Sequence, residues 1–141
     1  MICFKCRQGK LEISNSRKKA GTMQIWRRRK CSHCNWVFTT TEQPVMDGAF
    51  SIKNSKRKKD TQLYASADLL LALITAFAHS TKRQLAIQLF YRLERELFQQ
   101  AAQQNFILSK DAYHTHIINV VRAYDISASM LYAAQHGIAT V

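Results

Sequence analysis

The stretch WRRRKCSHCNWVFTTTE, Trp26 to Glu42, sets four consecutive cations against a C-x2-C pair and follows them with β-branched and aromatic residues. The other two cysteines, Cys3 and Cys6, form a second C-x2-C, and Cys3, Cys6, Cys31 and Cys34 are all the cysteines of the chain. Zinc takes four soft ligands in a tetrahedron, and two short C-x2-C turns joined by a hairpin supply them with little strain. The alternatives are two disulfides or four ordinary thiols. Disulfides belong to secreted proteins, and MICFKCRQGK has no apolar segment of the kind a secretory signal carries. Scattered thiols would not fall into two matched pairs. The spacing therefore predicts one structural Zn2+ per chain.

The residues around the cysteines read as a zinc ribbon of three short antiparallel strands, LEIS (11–14), MQIW (23–26) and WVFTT (36–40), with NSRKKAG (15–21) as an exposed turn. Asn35, directly after Cys34, suits the left-handed conformation that closes such a turn, and Gly9 follows Cys6 closely. His33 reads as an exposed filler of the second turn and not as a fifth ligand. A module of about 45 residues buries too little surface to fold alone, so the metal is expected to be required for its folding.

Charge is unevenly spread. Residues 1–60 carry fifteen Lys/Arg against four acids, whereas residues 61–141 carry six against five. The excess of the first part attracts nucleic-acid phosphates or an anionic membrane surface. Four thiolates around a dication leave a net charge of −2, which accounts for some of the neighbouring cations but not all. Two basic runs, Arg17-Lys18-Lys19 and Arg27-Arg28-Arg29-Lys30, share one small scaffold with Thr39 and Thr40. Arginine forks and threonine hydroxyls suit phosphates and base edges, so these nine residues are the candidate DNA contacts. The longest apolar run, Leu69 to Ala78, is too short to span a bilayer and reads as a buried helix. A cytoplasmic, nucleoid-associated protein with no membrane partner is expected.

The C-x2-C pair, ISNSR (13–17) and RRRKCSHCNWVFTTTE (27–42) together resemble the bacterial ribonucleotide reductase transcriptional repressor family, NrdR. Its zinc ribbon carries an Asp-Ser-Arg element, an Arg run, C-x2-C-N and Phe-Thr-Thr-x-Glu. The matching positions are Ser16-Arg17, Arg27-Arg28-Arg29, Cys31, Cys34, Asn35, Phe38-Thr39-Thr40 and Glu42; Asn15 replaces the acidic residue of the first element. The resemblance implies an α+β chain of two domains. Residues 1–47 would be a four-cysteine zinc ribbon that binds double-stranded DNA. Residues 48–141 would be an ATP-cone-like helical domain, a β-hairpin plus about four helices, that mediates homo-oligomerisation and takes ATP or dATP. The family's Val-Lys-Arg-Asp-Gly-like nucleotide turn is Ile52-Lys53-Asn54-Ser55-Lys56 here, in which Lys53 matches and the Asp and Gly do not. Lys53, Lys56 and Arg57 are the candidate nucleotide contacts.

In that second half FSIKNSKRKKDTQLY (50–64) reads as the hairpin. A first helix is expected from Ser66 as N-cap, with Leu69, Leu70, Leu73, Ile74 and Phe77 inward. A second is expected over 81–103, with Leu85, Leu89, Leu93 and Leu97 four apart. Ser109 caps a third, with Tyr113, Ile117, Val120, Val121 and Tyr124 as its stripe. Asp125 or Ser127 caps a fourth, which Gly137 stops. Leu71, Phe90, Phe98 and Tyr132 fall off the stripes and are expected outside, available for self-association. His114 and His116 face apart on a helix, so a metal pair is not expected. The acids form no acid/base constellation, and neither a phosphate-cradling G-x-x-x-x-G-K-[ST] nor a G-x-S-x-G is present, so no enzyme is expected. Two functions follow: a sequence-specific DNA-binding regulator, more in keeping with a repressor, or a zinc-dependent adaptor that docks a protein through its helices and holds nucleic acid only non-specifically.

Overall fold

The computed structural model describes residues 1–54 and 60–139. These form two compact units, Met1–Val45 and Met46–Val141. In the first, β1 (Leu11–Lys18), β2 (Ile25–Cys31) and β3 (Val37–Glu42) make an antiparallel sheet in the order β1-β2-β3. Its core is small: Cys3, Leu11 and Cys31 are buried, and Trp36 and Phe38 pack against them. Phe38 stacks on Trp36 with ring centroids 4.7 Å apart and meets Phe4 edge-on.

Residues 15–18, expected in a turn, belong to β1. Pairing with β2 satisfies their backbone groups, and the polar composition that reads as a loop marks a strand with no core on either side. The turn is instead residues 19–24, where the Lys19 carbonyl accepts from the Thr22 N–H and hydroxyl and Gly21 adopts φ +70°. One residue disturbs the β1–β2 register. Ile13 opposes Arg29 and Asn15 opposes Arg28, which leaves Ser14 as a β-bulge. Its hydroxyl donates to the Arg28 carbonyl over 3.1 Å. Because side chains alternate across a strand, the extra residue exchanges the two faces of β1 beyond it.

The second unit has its own sheet, β4 (Ser51–Lys53), β5 (Thr61–Leu63) and β6 (Ile107–Ser109), in the order β5-β4-β6, and four helices, α1 (Ser66–Ala76), α2 (Leu85–Ala102), α3 (Lys110–Arg122) and α4 (Ile126–Gln135). β4 and β5 form the expected hairpin. β6, parallel to β4, was not expected; three residues are too few for a pattern, and left-handed Asn105 and Phe106 turn the chain into it after α2. Together these elements make an α+β chain.

The core joins Phe50 stacked on Tyr64, Leu69, Leu73 and Phe77 of the α1 region, Leu89, Leu93 and Leu97 of α2, and Ile117 and Val121 of α3. Several expectations are corrected. Ile74 is exposed, because α1 buries only a narrow stripe between its neighbours. Phe90 and Tyr132 are buried, since more than one element packs on α2 and α4; Phe98 is partly buried and Leu71 is 66% exposed. Tyr124 lies past the end of α3 at the surface. Ser66 is the first residue of α1 and not its cap. Its hydroxyl donates to Glu94, which also accepts from Tyr64, and its N–H donates to Asp47 over 2.6 Å. α2 begins at Leu85 because Ser80 holds the preceding residues in a turn, accepting from the Lys82 N–H and donating to Asp125.

Ser109 caps α3 and Asp125 caps α4, each side chain accepting a backbone N–H three residues on. At the other end of α4, Gly137 with φ +64° lets its own N–H reach Ala134 and that of Ile138 reach Ala133. Ser109→Ala removes one cap acceptor and is expected to cost about 1 kcal/mol. Thermal unfolding followed by helical circular dichroism checks this, with the zinc content expected to stay unchanged.

Candidate metal centre and nucleic-acid interface

The four cysteines arise from two turns of the same construction. In the first, the Arg7 N–H donates to the Cys3 carbonyl over 2.9 Å; in the second, the Asn35 N–H donates to Cys31 over 3.1 Å. The residue after the second cysteine is left-handed in both, Arg7 at φ 56° and Asn35 at φ 57°. Gly9 serves a different need. A Cβ there would lie 2.3 Å from the Cys31 sulfur and 2.8 Å from the His33 Cβ, so only glycine leaves room for the second turn to dock.

The four Sγ atoms lie within 4.8 Å of one another, with Cys3–Cys34 at 3.8 Å and Cys6–Cys31 at 3.7 Å. A tetrahedron with Zn–S bonds of about 2.3 Å has edges of about 3.8 Å, so the donor set fits zinc in type, number and spacing. Backbone N–H groups already favour thiolates. Those of Gln8 and Gly9 lower the Cys6 thiol to about 6, and those of Cys34 and His33 lower Cys31. Cys34 is pushed up to about 11: the Trp36 N–H favours its thiolate, but burial and the neighbouring sulfurs outweigh it. Four anions within this space need a dication, and metal binding therefore releases protons. Cys3, Cys6, Cys31 and Cys34 form the structural Zn2+ site. His33 is exposed, and only its backbone N–H approaches a ligand, Cys31, at 3.4 Å.

The sheet distributes the candidate DNA contacts over two faces. Arg27, Arg29 and Thr40 share one with Ser16, Lys18 and Glu42, given the pairs Ser16–Arg27, Arg27–Thr40, Arg29–Phe38 and Ile25–Glu42. Here Glu42 Oε1 lies 2.8 Å from Arg27 Nε, an ion pair whose N–H is not aimed along the contact, and accepts from Arg29 at 3.3 Å. Arg29 also donates to Thr40 over 3.0 Å, and Arg27 to Ser16 over 3.3 Å. The Arg27 and Arg29 side chains are only 25% and 12% exposed. Arg17, Arg28, Lys30 and Thr39 lie on the opposite face and are all exposed. Lys19 lies in the exposed turn beyond β1. The run Arg27–Lys30 thus alternates sides; Asn15 and Thr41, exposed and outside the predicted contacts, join Arg17, Arg28 and Lys30, with half-buried Trp26 between them.

The second unit holds a cleft of about 790 Å³, lined among others by Asp60, Asp68, Lys110, Tyr113, His114 and His136. Lys53 is exposed on β4 and does not line it, whereas its neighbours Ile52 and Asn54 do. Lys56 and Arg57 lie outside the described residues. Burial, then the proximity of His136 and Lys110, lowers His114 to about 4, so it is neutral near pH 7, with Nδ1 2.9 Å from the Tyr132 hydroxyl. The cleft's lining was not legible beforehand, because it is collected from β4, β5, α1, α3 and α4. His114 and His116 do point apart: His116 contacts Glu96 at 2.9 Å and Gln100 at 3.0 Å. Among the described residues, no helix is long and apolar enough to cross a membrane.

Residues 1–42 match the family model described as the N-terminal domain of NrdR-like transcriptional repressors. Three curated relatives, each called a transcriptional repressor NrdR, are similar over a longer stretch. The chain is 35% identical over 79 residues to that of Opitutus terrae, covering 56% of this chain and 49% of the relative. It is 28% identical over 99 residues to that of Ehrlichia chaffeensis, covering 67% and 63%, and 31% identical over 88 residues to that of Chlamydia muridarum, covering 62% and 55%. The match thus spans about half to three fifths of their length. The ribbon is NrdR-like in sequence.

Cys31→Ser removes a fully buried ligand from a unit whose core has little else. It is expected to abolish zinc retention and unfold residues 1–45 while the helical signal of the second unit persists. Metal analysis with circular dichroism checks this; a variant retaining one zinc per chain contradicts the assignment.

Proposed function

We propose that the protein is a DNA-binding transcriptional repressor in which the zinc ribbon contacts duplex DNA and the helical unit brings copies of the chain together. The observation that carries this reading is the placement of seven Lys/Arg residues, Arg17–Lys19 and Arg27–Lys30, on or beside a sheet whose strands are joined at a four-cysteine centre. Cations on a rigid sheet meet phosphates with less loss of side-chain and loop entropy than cations on a free tail. The NrdR-like sequence of residues 1–42 supports the same reading. One ribbon offers a small footprint, so two or more copies are needed for useful affinity and specificity. The exposed apolar residues Leu71 and Ile74 of α1 and Met130 and Leu131 of α4 support self-association.

A nucleotide is the finer part of the proposal. The cleft has the volume of a small-molecule site, and its tyrosines and histidines suit a base and sugar. Its lining among the described residues includes Asp60 and Asp68 against a single lysine, Lys110, which is a weak match for a triphosphate. The altered turn at Lys53–Lys56 points the same way. Any ATP or dATP response is expected to act through assembly, since a ligand shifts an equilibrium only by binding one state better.

The second reading is the adaptor, favoured by those same exposed apolar side chains on α1 and α4. Competition binding separates the two. A repressor prefers its operator to random duplex by about a thousandfold or more at physiological salt, whereas an adaptor shows no preference. Light scattering with and without ATP or dATP is expected to give an oligomer in at least one condition. A strict monomer in both, still tight on its operator, refutes the assembly role.

A further inference from the structure

The bulge at Ser14 sorts the cations of the ribbon into two sets. Ahead of it, Ile13 lies opposite Arg29; beyond it, Asn15 lies opposite Arg28 and Arg17 opposite Trp26. In an unbroken register Arg17 would fall on the Glu42 side, with Arg27 and Arg29. With the extra residue it joins Arg28 and Lys30. The face so formed consists of three cross-strand rows: Arg17–Trp26–Thr41, Asn15–Arg28–Thr39 and Glu12–Lys30–Val37. Every member is exposed except Trp26, which is half-buried. Among the described residues, no carboxylate lies within ion-pair distance of Arg17, Arg28 or Lys30. The only acid on the face is Glu12, directly across from Lys30 in the row next to Cys31.

We infer that this bulge-sorted face, and not the Arg-rich run as a whole, is the surface that meets duplex DNA. The inference rests on the DNA-binding reading above. Arg28 stands between the amide of Asn15 and the hydroxyl of Thr39, so one row offers a guanidinium fork, an amide and a hydroxyl, the groups that address base edges. Arg17 and Lys30 flank that row and contact phosphates, while Trp26 provides an apolar floor for sugars or a thymine methyl. Arg27 and Arg29 do a different job. Glu42 lies against both guanidiniums, and Thr40 and Ser16 each accept one further N–H, from Arg29 and Arg27 respectively. These contacts tie β2 to β3 and β1 and keep the exposed face flat. They are positioning residues.

The test is the salt dependence of affinity for a random-sequence DNA duplex, measured with the zinc-loaded full chain. Each phosphate contact contributes about 0.9 to the slope of log K against log salt. The variant Arg17→Gln/Arg28→Gln/Lys30→Gln is expected to keep its zinc and, through its two phosphate contacts, lose about 1.8 of that slope. Arg27→Gln/Arg29→Gln is expected to keep the slope and to unfold at lower temperature. Should a multiple variant lose zinc, Arg17→Gln and Arg27→Gln, on opposite faces of the sheet, supply the same contrast. A slope that falls with Arg27 and Arg29 but not with Arg17, Arg28 and Lys30 overturns the inference and leaves DNA binding standing. A wild-type protein with no salt-dependent binding overturns both.

Discussion

Four sulfurs 3.7 to 4.8 Å apart are the constraint on which the ribbon depends. Besides the cysteines, the buried apolar content of the unit is Leu11, with Trp36 and Phe38 half-covered. So few apolar groups leave much of the conformational entropy of ordering the unit uncompensated. Zinc among the thiolates adds on the order of 10 kcal/mol or more in such small domains, which tips the balance to the folded side. The requirement propagates outward. Gly9 is fixed by the space beside Cys31, and left-handed Arg7 and Asn35 by the turning of the two knuckles. The position of β2, which begins the second knuckle at Cys31, fixes the register of both its neighbours.

The cations near the metal are governed by that register. Charge alone would rank Arg27, Arg28 and Arg29 as equals. The sheet makes them unequal, because two of them face Glu42 and the third faces solvent between Asn15 and Thr39. A bulge one residue long decides which side Arg17 joins. In the second unit the balance is reversed: an apolar core that includes Phe50, Leu93 and Tyr132 holds four helices on a small mixed sheet.

Much of this was legible in the residues. The cysteine spacing gave the ligand set, Asn35 its left-handed turn, and the leucines at 89, 93 and 97 the buried face of α2, because each reports a local geometric rule. What escaped was non-local or too short to carry a pattern. Residues 15–18 look like a loop because neither face of that strand is buried. β6 has three residues and exists by pairing with β4, far away in sequence. Phe90 and Tyr132 lie off a single-stripe pattern because their helices are packed from more than one direction. Ser66 is drawn from capping by Glu94, a partner 28 residues on. The cleft is assembled from five elements, and Lys53, picked out by its match to the family's turn, is not among its lining residues.

The central claim is that zinc holds the ribbon in the form that binds DNA. Its most direct measurement is duplex affinity during stepwise zinc loading of the metal-stripped chain, with helical circular dichroism recorded in parallel. The account predicts that binding sets in with the first equivalent of zinc per chain while the helical signal stays constant. Equal affinity in the stripped and loaded protein would contradict it.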